Sequence, residues 1–181
     1  MKKLLLHICC APCSASALKS LYDGISPQEL SAAFYWYNPN IWDEDEYNKR
    51  KESAVRYARE LNLDFFQEND FVYDYALWKE KSGEICANCY KLRLEKAAKF
   101  AKENGFDYFS TSLLSSPYQK RDTIKQVAQN LSGVYKIEFL ERDFKKFFYE
   151  GKNELRQKGY YMQKYCACNK SFNQKSEKVK N

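Results

Sequence analysis

The sequence holds a single histidine, His7, among 181 residues. A metal site in this chain cannot rest on imidazoles. It must be mostly sulfur, which selects zinc or iron–sulfur over magnesium or calcium. Long apolar runs are missing too, and no stretch approaches the roughly 20 apolar residues of a membrane-crossing helix. Met1-Lys2-Lys3 followed by Leu4 to Leu6 has the outline of a secretory leader. The apolar stretch is short, His7 and the cysteines interrupt it, and no cleavage site follows, so it reads as a first core strand. There is no internal repeat and no low-complexity linker. Acids are scarce at one end only: residues 145–181 carry ten Lys or Arg against three acids, and the remainder has 20 against 21. Nearly all of the net charge of +6 therefore sits in the C-terminal fifth. That excess reads either as a phosphate-attracting surface or as a solvated helix and tail, the pattern of Lys175, Lys178 and Lys180.

Cysteine, by contrast, is plentiful and grouped. Cys9, Cys10 and Cys13 form one knot, Cys86 and Cys89 a second, Cys166 and Cys168 a third. Structural cysteines act as small buried hydrophobes and have no reason to cluster; clustered ones point to metal binding or thiol redox chemistry. Only a fold brings three remote knots to one point, and seven thiols exceed the needs of one four-coordinate metal. The chain is long enough to bury a core without disulfides, so the thiols fit a cytoplasmic protein in which they stay reduced.

Periodicity gives an alternating pattern. Strands are expected over residues 4–8, 31–37, 64–67, 107–112 and 134–139. Helices are expected over 14–22, 44–61, 71–79, 86–102 and 118–131, with a helical remainder broken at Gly151 and Gly159. Strand–helix alternation implies a parallel, five-stranded, Rossmann-like α/β sheet with helices on both faces. We expect one domain over residues 1–181: a sheet core over 1–142, and a basic helical C-terminal segment over 143–181 that closes the metal site. Cys9, Cys10 and Cys13 follow the first strand, Asn38 the second, and Thr111 and Ser112 close the fourth. All lie at the carboxyl edge, where such sheets bind ligands.

Each motif has a chemical and a plain reading. Cys9, Cys10 and Cys13 lie on a turn into a helix, whose free N–H groups stabilise thiolate; the alternative is a buried pair in the core. Adjacent Cys9 and Cys10 are expected to point apart and serve different ligands. Cys86-x-x-Cys89 suits zinc, iron–sulfur and thioredoxin-type chemistry alike. Cys166-x-Cys168 is too close for an ordinary zinc knuckle and fits bridging or neighbouring metals. His7 is either a hydrogen-bonded core histidine or a ligand or proton donor. Tyr35, Trp36, Tyr37 and Asn38 offer a stacking surface or plain packing.

Together, His7-Ile-Cys-Cys-Ala-Pro-Cys13, Tyr37-Asn-Pro-Asn40, Glu46-Tyr-x-Lys-Arg50, Cys86-x-x-Cys-Tyr-x-x-Arg-Leu94, Ser110-Thr-Ser-Leu-Leu-Ser-Ser-Pro-Tyr-Gln119 and Tyr161-x-Gln-Lys-Tyr-Cys-x-Cys168 resemble the QueH family of cobalamin-independent epoxyqueuosine reductases. The resemblance runs from residue 4 to about 171, with Ala167 standing where the family pattern has glycine. It implies a fold similar to the adenine-nucleotide α-hydrolase (PP-loop-like) group. The implied activity is reduction of the epoxide of epoxyqueuosine in tRNA, with a 4Fe-4S cluster, an additional nearby iron or other metal ion, and an external electron donor. No cobalamin is implied. No Ser-Gly-Gly phosphate loop follows the first strand, so no ATP use is expected. Carried onto this sequence, the seven cysteines are the metal ligands, with Cys86, Cys89 and at least one of Cys9, Cys10 and Cys13 on the cluster. Cys166 and Cys168 then complete the shell or hold the second metal. Tyr37, Tyr118 and His7 are the candidate proton donors. Asn38, Asn40, Gln119, Arg93, Lys164, Lys158 and Arg156 are the candidate substrate and RNA contacts, with Lys145 and Lys146 adding to the basic footing. Two other readings use the same features: an iron–sulfur tRNA sulfurtransferase on a PP-loop-like fold, and a zinc-stabilised RNA-binding module.

Overall fold

A computed structural model describes residues 1–68, 70–73 and 85–168. Residues 74–79 of the expected aromatic-rich helix, and the basic tail with Lys175, Lys178 and Lys180, lie outside them. Among the described residues five strands form one sheet: β1 (Lys2–His7), β2 (Leu30–Trp36), β3 (Phe65–Gln67), β4 (Tyr108–Thr111) and β5 (Glu138–Phe139). Every pairing is parallel, in the order β3-β2-β1-β4-β5. Leu4, Leu5, Leu6 and Ile8 are fully buried, as a central strand covered on both faces requires. The helices around the sheet are α1 (Ala11–Leu21), α2 (Glu44–Glu60), α3 (Ile85–Glu103), α4 (Arg121–Tyr135) and α5 (Phe148–Gln157). α3 packs on α4, and α1 on α5. The chain winds outward from β1 to β3, then crosses back to β4 and β5. The order reverses between β1 and β4, which opens a crevice beyond their carboxyl ends.

Several boundaries differ from the sequence expectation. α1 starts at Ala11, capped by Cys10, with Pro12 in its first turn, where a missing N–H costs nothing. Cys13 is thereby drawn into the helix. α4 starts at Arg121. A 3-10 turn over Ser112–Ser115 and an extended Ser116 precede it, because the residue before Pro117 avoids the helical region. The strand expected over 134–139 shrinks to two residues. Ile124, Ala128 and Leu131 bury at helical spacing, and the helix runs to Tyr135 before Lys136 turns left-handed at φ 53° and ψ 47°. Strand-favouring Val134 is left on the solvent side of that helix.

Gly151 does not break the last helix. It sits inside α5, where a Cβ would stand 2.7 Å from the Ser16 backbone nitrogen and 2.9 Å from its Oγ. Ser16 Oγ also donates to the Phe148 carbonyl at 3.2 Å. The two helices approach so closely only because one residue lacks a side chain. Gly151→Ala should therefore lower the unfolding free energy by about 1–3 kcal/mol. Gly133→Ala, in open space on α4, should raise it by about 0.4–1 kcal/mol. Urea denaturation of both variants checks the pair, and equal responses would remove the close-approach argument.

Candidate metal centre

The turn from β1 into α1 gathers the first knot. The Sγ atoms of Cys9, Cys10 and Cys13 all lie within 4.8 Å of one another, with Cys9 and Cys10 at 3.8 Å. Adjacent Cys9 and Cys10 therefore converge, contrary to the expectation that they point apart. The cause is the extended backbone of Cys10 at the helix cap (φ −177°, ψ 160°), which leaves its sulfur accepting the Cys13 N–H at 3.4 Å. From β4, Ser112 Oγ accepts the Cys9 N–H at 3.3 Å and donates to Cys9 Sγ at 3.7 Å. Ser115 donates to the Cys13 carbonyl at 3.1 Å. Donation from Cys10 and Cys13 pulls the Cys9 thiol well down, while burial pushes the Cys10 thiol up.

The other two knots meet beside it. Cys86 and Cys89 on α3 line a narrow cavity with Cys166 and Cys168, and Ile85, Tyr90, Arg93 and Gln119 complete its wall. Gln119 accepts from the Tyr90 hydroxyl at 2.7 Å and donates to Cys166 Sγ at 3.7 Å. Gln163 Nε2 donates to Cys13 Sγ at 3.5 Å and so ties the last segment to the first knot. A hydrogen bond from Cys168, with the nearby Arg93 charge, lowers the Cys166 thiol to about 6. Burial raises the Cys89 thiol.

The segment after α5 is irregular and hangs on polar ties. Arg50 Nη2 donates to the Tyr165 carbonyl at 2.7 Å and Asn40 Nδ2 to the Cys166 carbonyl at 3.3 Å. The Trp42 N–H reaches the Ala167 carbonyl at 3.2 Å. Arg50 is held in turn by Glu46, an i,i+4 partner on α2, through bonds of 2.7 Å from Nε and Nη2. The Tyr161 hydroxyl donates to the same carboxylate. Both charges are buried. Ala167 sits left-handed at φ 74° between the two cysteines, in a region where a Cβ costs roughly 1–2 kcal/mol. This is the position at which the resemblance leads one to expect glycine.

The remaining candidates separate. His7 is fully buried between β2 and β4. Its Nε2 lies 3.1 Å from the Tyr37 carbonyl, which only accepts, so Nε2 carries the proton. Nδ1 then accepts from Thr111 Oγ1 at 2.9 Å. Burial, reinforced by Arg93, lowers its pKa to about 4. A neutral imidazole with both nitrogens engaged fits the core-histidine reading. Asn38 is buried and donates to the Ile8 carbonyl at 2.9 Å. Arg93 is enclosed too, at 1% exposure, rather than on an RNA-facing surface. Tyr118 is 81% exposed beside Gln119, and the Tyr37 ring lies 5.7 Å from Lys96 Nζ. Lys158 pairs with Glu154 at 3.0 Å, Arg156 donates to Asn153 at 3.0 Å, and Lys146 pairs with Asp23. Lys164 is exposed on the tied segment.

Thiols alone satisfy the donor set for zinc or iron–sulfur, and none of the seven cysteines is in a disulfide. Among the buried polar atoms of this region without a hydrogen-bond partner among the described residues are Arg93 Nη2 and Gln163 Oε1. A buried guanidinium among sulfurs suits an anionic metal–thiolate assembly, so the residues fit the group. Sequence reasoning did not single out Gln163, or the Glu46–Arg50 pair as a buried tie. The i,i+4 spacing of that pair is also how exposed helix pairs look. Arg50→Met leaves the Glu46 charge buried and alone. It should cost about 3–5 kcal/mol of unfolding free energy, with much of it recovered in Glu46→Gln/Arg50→Met. A denaturant series on the two variants and the unaltered protein reads this out, and a cost below about 1 kcal/mol for the single change would show that the pair carries little.

The profile of the family described as Epoxyqueuosine reductase QueH matches residues 4–174. Proteins named epoxyqueuosine reductase QueH are similar over most of their length. That of Acinetobacter baylyi is 34% identical, across 92% of this chain and 78% of its own. That of Dehalococcoides mccartyi is 31% identical, across 92% and 90%. That of Thermotoga maritima is 29% identical, across 98% and 94%. The thiol-bearing crevice and the match along nearly the whole sequence have one common reading: the chain belongs to the epoxyqueuosine reductase QueH family.

Proposed function

We propose that this protein is an epoxyqueuosine reductase acting on tRNA, with its reaction centre at the crevice beyond β1 and β4. The observation that carries the reading is the convergence of three sequence-remote thiol groups at that edge. Deoxygenation of an epoxide to an alkene takes up two electrons and two protons and releases water. Side chains do not supply the electron pair readily, and a metal cofactor does. When bound, a 4Fe-4S cluster with a second iron ion supplies electrons and a Lewis-acidic contact for the oxygen.

Cys86, Cys89, Cys166 and Cys168 are the proposed cluster ligands, because the four share one cavity. Cys9, Cys10 and Cys13 are the proposed ligands of the second metal. His7, neutral and bonded at both nitrogens, braces the ends of β1, β2 and β4. Tyr37 and Tyr118 are the proposed sources of protons, and Asn38 and Asn40 set the backbone around the thiols. Residues 143–168 close the crevice, and their basic side chains Arg156, Lys158 and Lys164 give the tRNA a footing while the modified base, unstacked from its loop, is presented to the centre. An external donor delivers the electrons.

Each of the seven Cys→Ala variants, purified without oxygen, should hold less iron and reduce epoxyqueuosine tRNA more than about 100-fold more slowly. Loss of a ligand exceeds the 10–100-fold cost of losing a supporting partner. Five or more variants with full iron and full turnover would sink the composite site. Separately, the triple change Arg156→Gln/Lys158→Gln/Lys164→Gln should weaken tRNA binding. It should also flatten the plot of log affinity against log salt by about 0.7 per lost phosphate contact. An unchanged slope in filter-binding titrations places the footing elsewhere.

A further inference from the structure

Arg93 is the least expected residue in the crevice. Its side chain is enclosed at 1% exposure. Nε donates to the Cys89 carbonyl one turn earlier on α3, at 3.3 Å, and Nη2 has no hydrogen-bond partner among the described residues. The guanidinium carbon stands 5.8 Å from the centre of the Tyr90 ring, a contact worth little beside the cost of desolvating a cation. Among the described residues the titratable groups that bear most on it are Cys89, Cys166, Cys9 and the Tyr90 phenol, and no carboxylate forms an ion pair with it. Arg50, the other buried arginine of the crevice, is fully answered by Glu46 and the Tyr165 carbonyl. Arg93 thus faces sulfur from all three knots, and an arginine does not shed its charge.

From this we infer that Arg93 is the charge-compensating residue of the metal–thiolate assembly: a fixed cation that offsets the negative charge of the sulfur ligands from inside their shell. The inference rests on the sulfur-ligated metal proposed above and gives Arg93 a role other than contact with RNA. Replacing four neutral thiols by a metal with four thiolates makes the site more negative. A cation a few ångströms away stabilises that product, and it stabilises a reduced cluster over an oxidised one.

The test uses the whole chain, freed of metal under anaerobic conditions. Cobalt(II) is titrated in at neutral pH and followed through thiolate-to-metal absorption. A second sample is reconstituted with iron and sulfide for potentiometry. Arg93→Met should bind cobalt at least tenfold more weakly than wild type. Its one-electron midpoint should move to more negative potential, about 59 mV for each tenfold change. Arg93→Lys, which keeps a charge without the planar fork, should fall between the two. Wild-type cobalt affinity and an unmoved midpoint in a folded Arg93→Met overturn the inference and leave the metal site standing. Arg93→Gln repeats the test should Arg93→Met not fold. If neither neutral variant folds even without metal, the guanidinium is a folding element and the inference fails. A wild type that takes up neither cobalt nor iron ends the metal reading, and this inference with it.

Discussion

A cation taken out of water must be answered by negative charge, and two guanidinium groups are enclosed at the carboxyl edge of this sheet. Arg50 is answered by Glu46 on the same helix. Arg93 donates to the Cys89 carbonyl and lines a cavity with the sulfurs of Cys86, Cys89, Cys166 and Cys168. The first pairing fixes the segment that carries Cys166 and Cys168; the second links that segment to α3 and to the end of β1.

The crevice is also a product of topology. β1 lies at the centre, with β2 and β3 to one side of it and β4 and β5 to the other. Cys9 and Cys10 leave its end where the sheet opens, and Cys10 caps the helix that follows. Ser112 at the end of β4 then reaches the Cys9 sulfur across the gap. A helix N-terminus at such a point presents free N–H groups to an anion. Here the acceptor that the Cys13 N–H meets is the protein's own Cys10 sulfur.

Much of this was legible in the residues. Leu4 to Ile8 is apolar on both faces, so a buried parallel strand followed directly. The Cys9, Cys86 and Cys166 groups were too clustered for packing alone, and the place of Cys9, Cys10 and Cys13 at the carboxyl edge followed from strand–helix alternation. The length of β5 was not legible, because Val134 and Tyr135 favour strands while the pattern of Ile124, Ala128 and Leu131 continues a helix. Gly151 reads as a breaker, and nothing local reveals that Ser16 lies against it. Arg93 looks like a surface cation one turn after Cys89; only the packing of α3 beneath the tied segment encloses it. Glu46 and Arg50 have the spacing of a solvent-facing pair, and their burial depends on Tyr161 and Tyr165, which lie more than a hundred positions away.

The ties from Arg50, Asn40 and Trp42 grip the last described segment by its carbonyl oxygens. Every residue type offers that atom. The path of this stretch is thus recorded in its surroundings more than in its own letters, and exposed Lys164 is open to replacement without shifting the sulfurs beside it. An engineer could rewrite such a position to change the charge at the rim while the thiols keep their places.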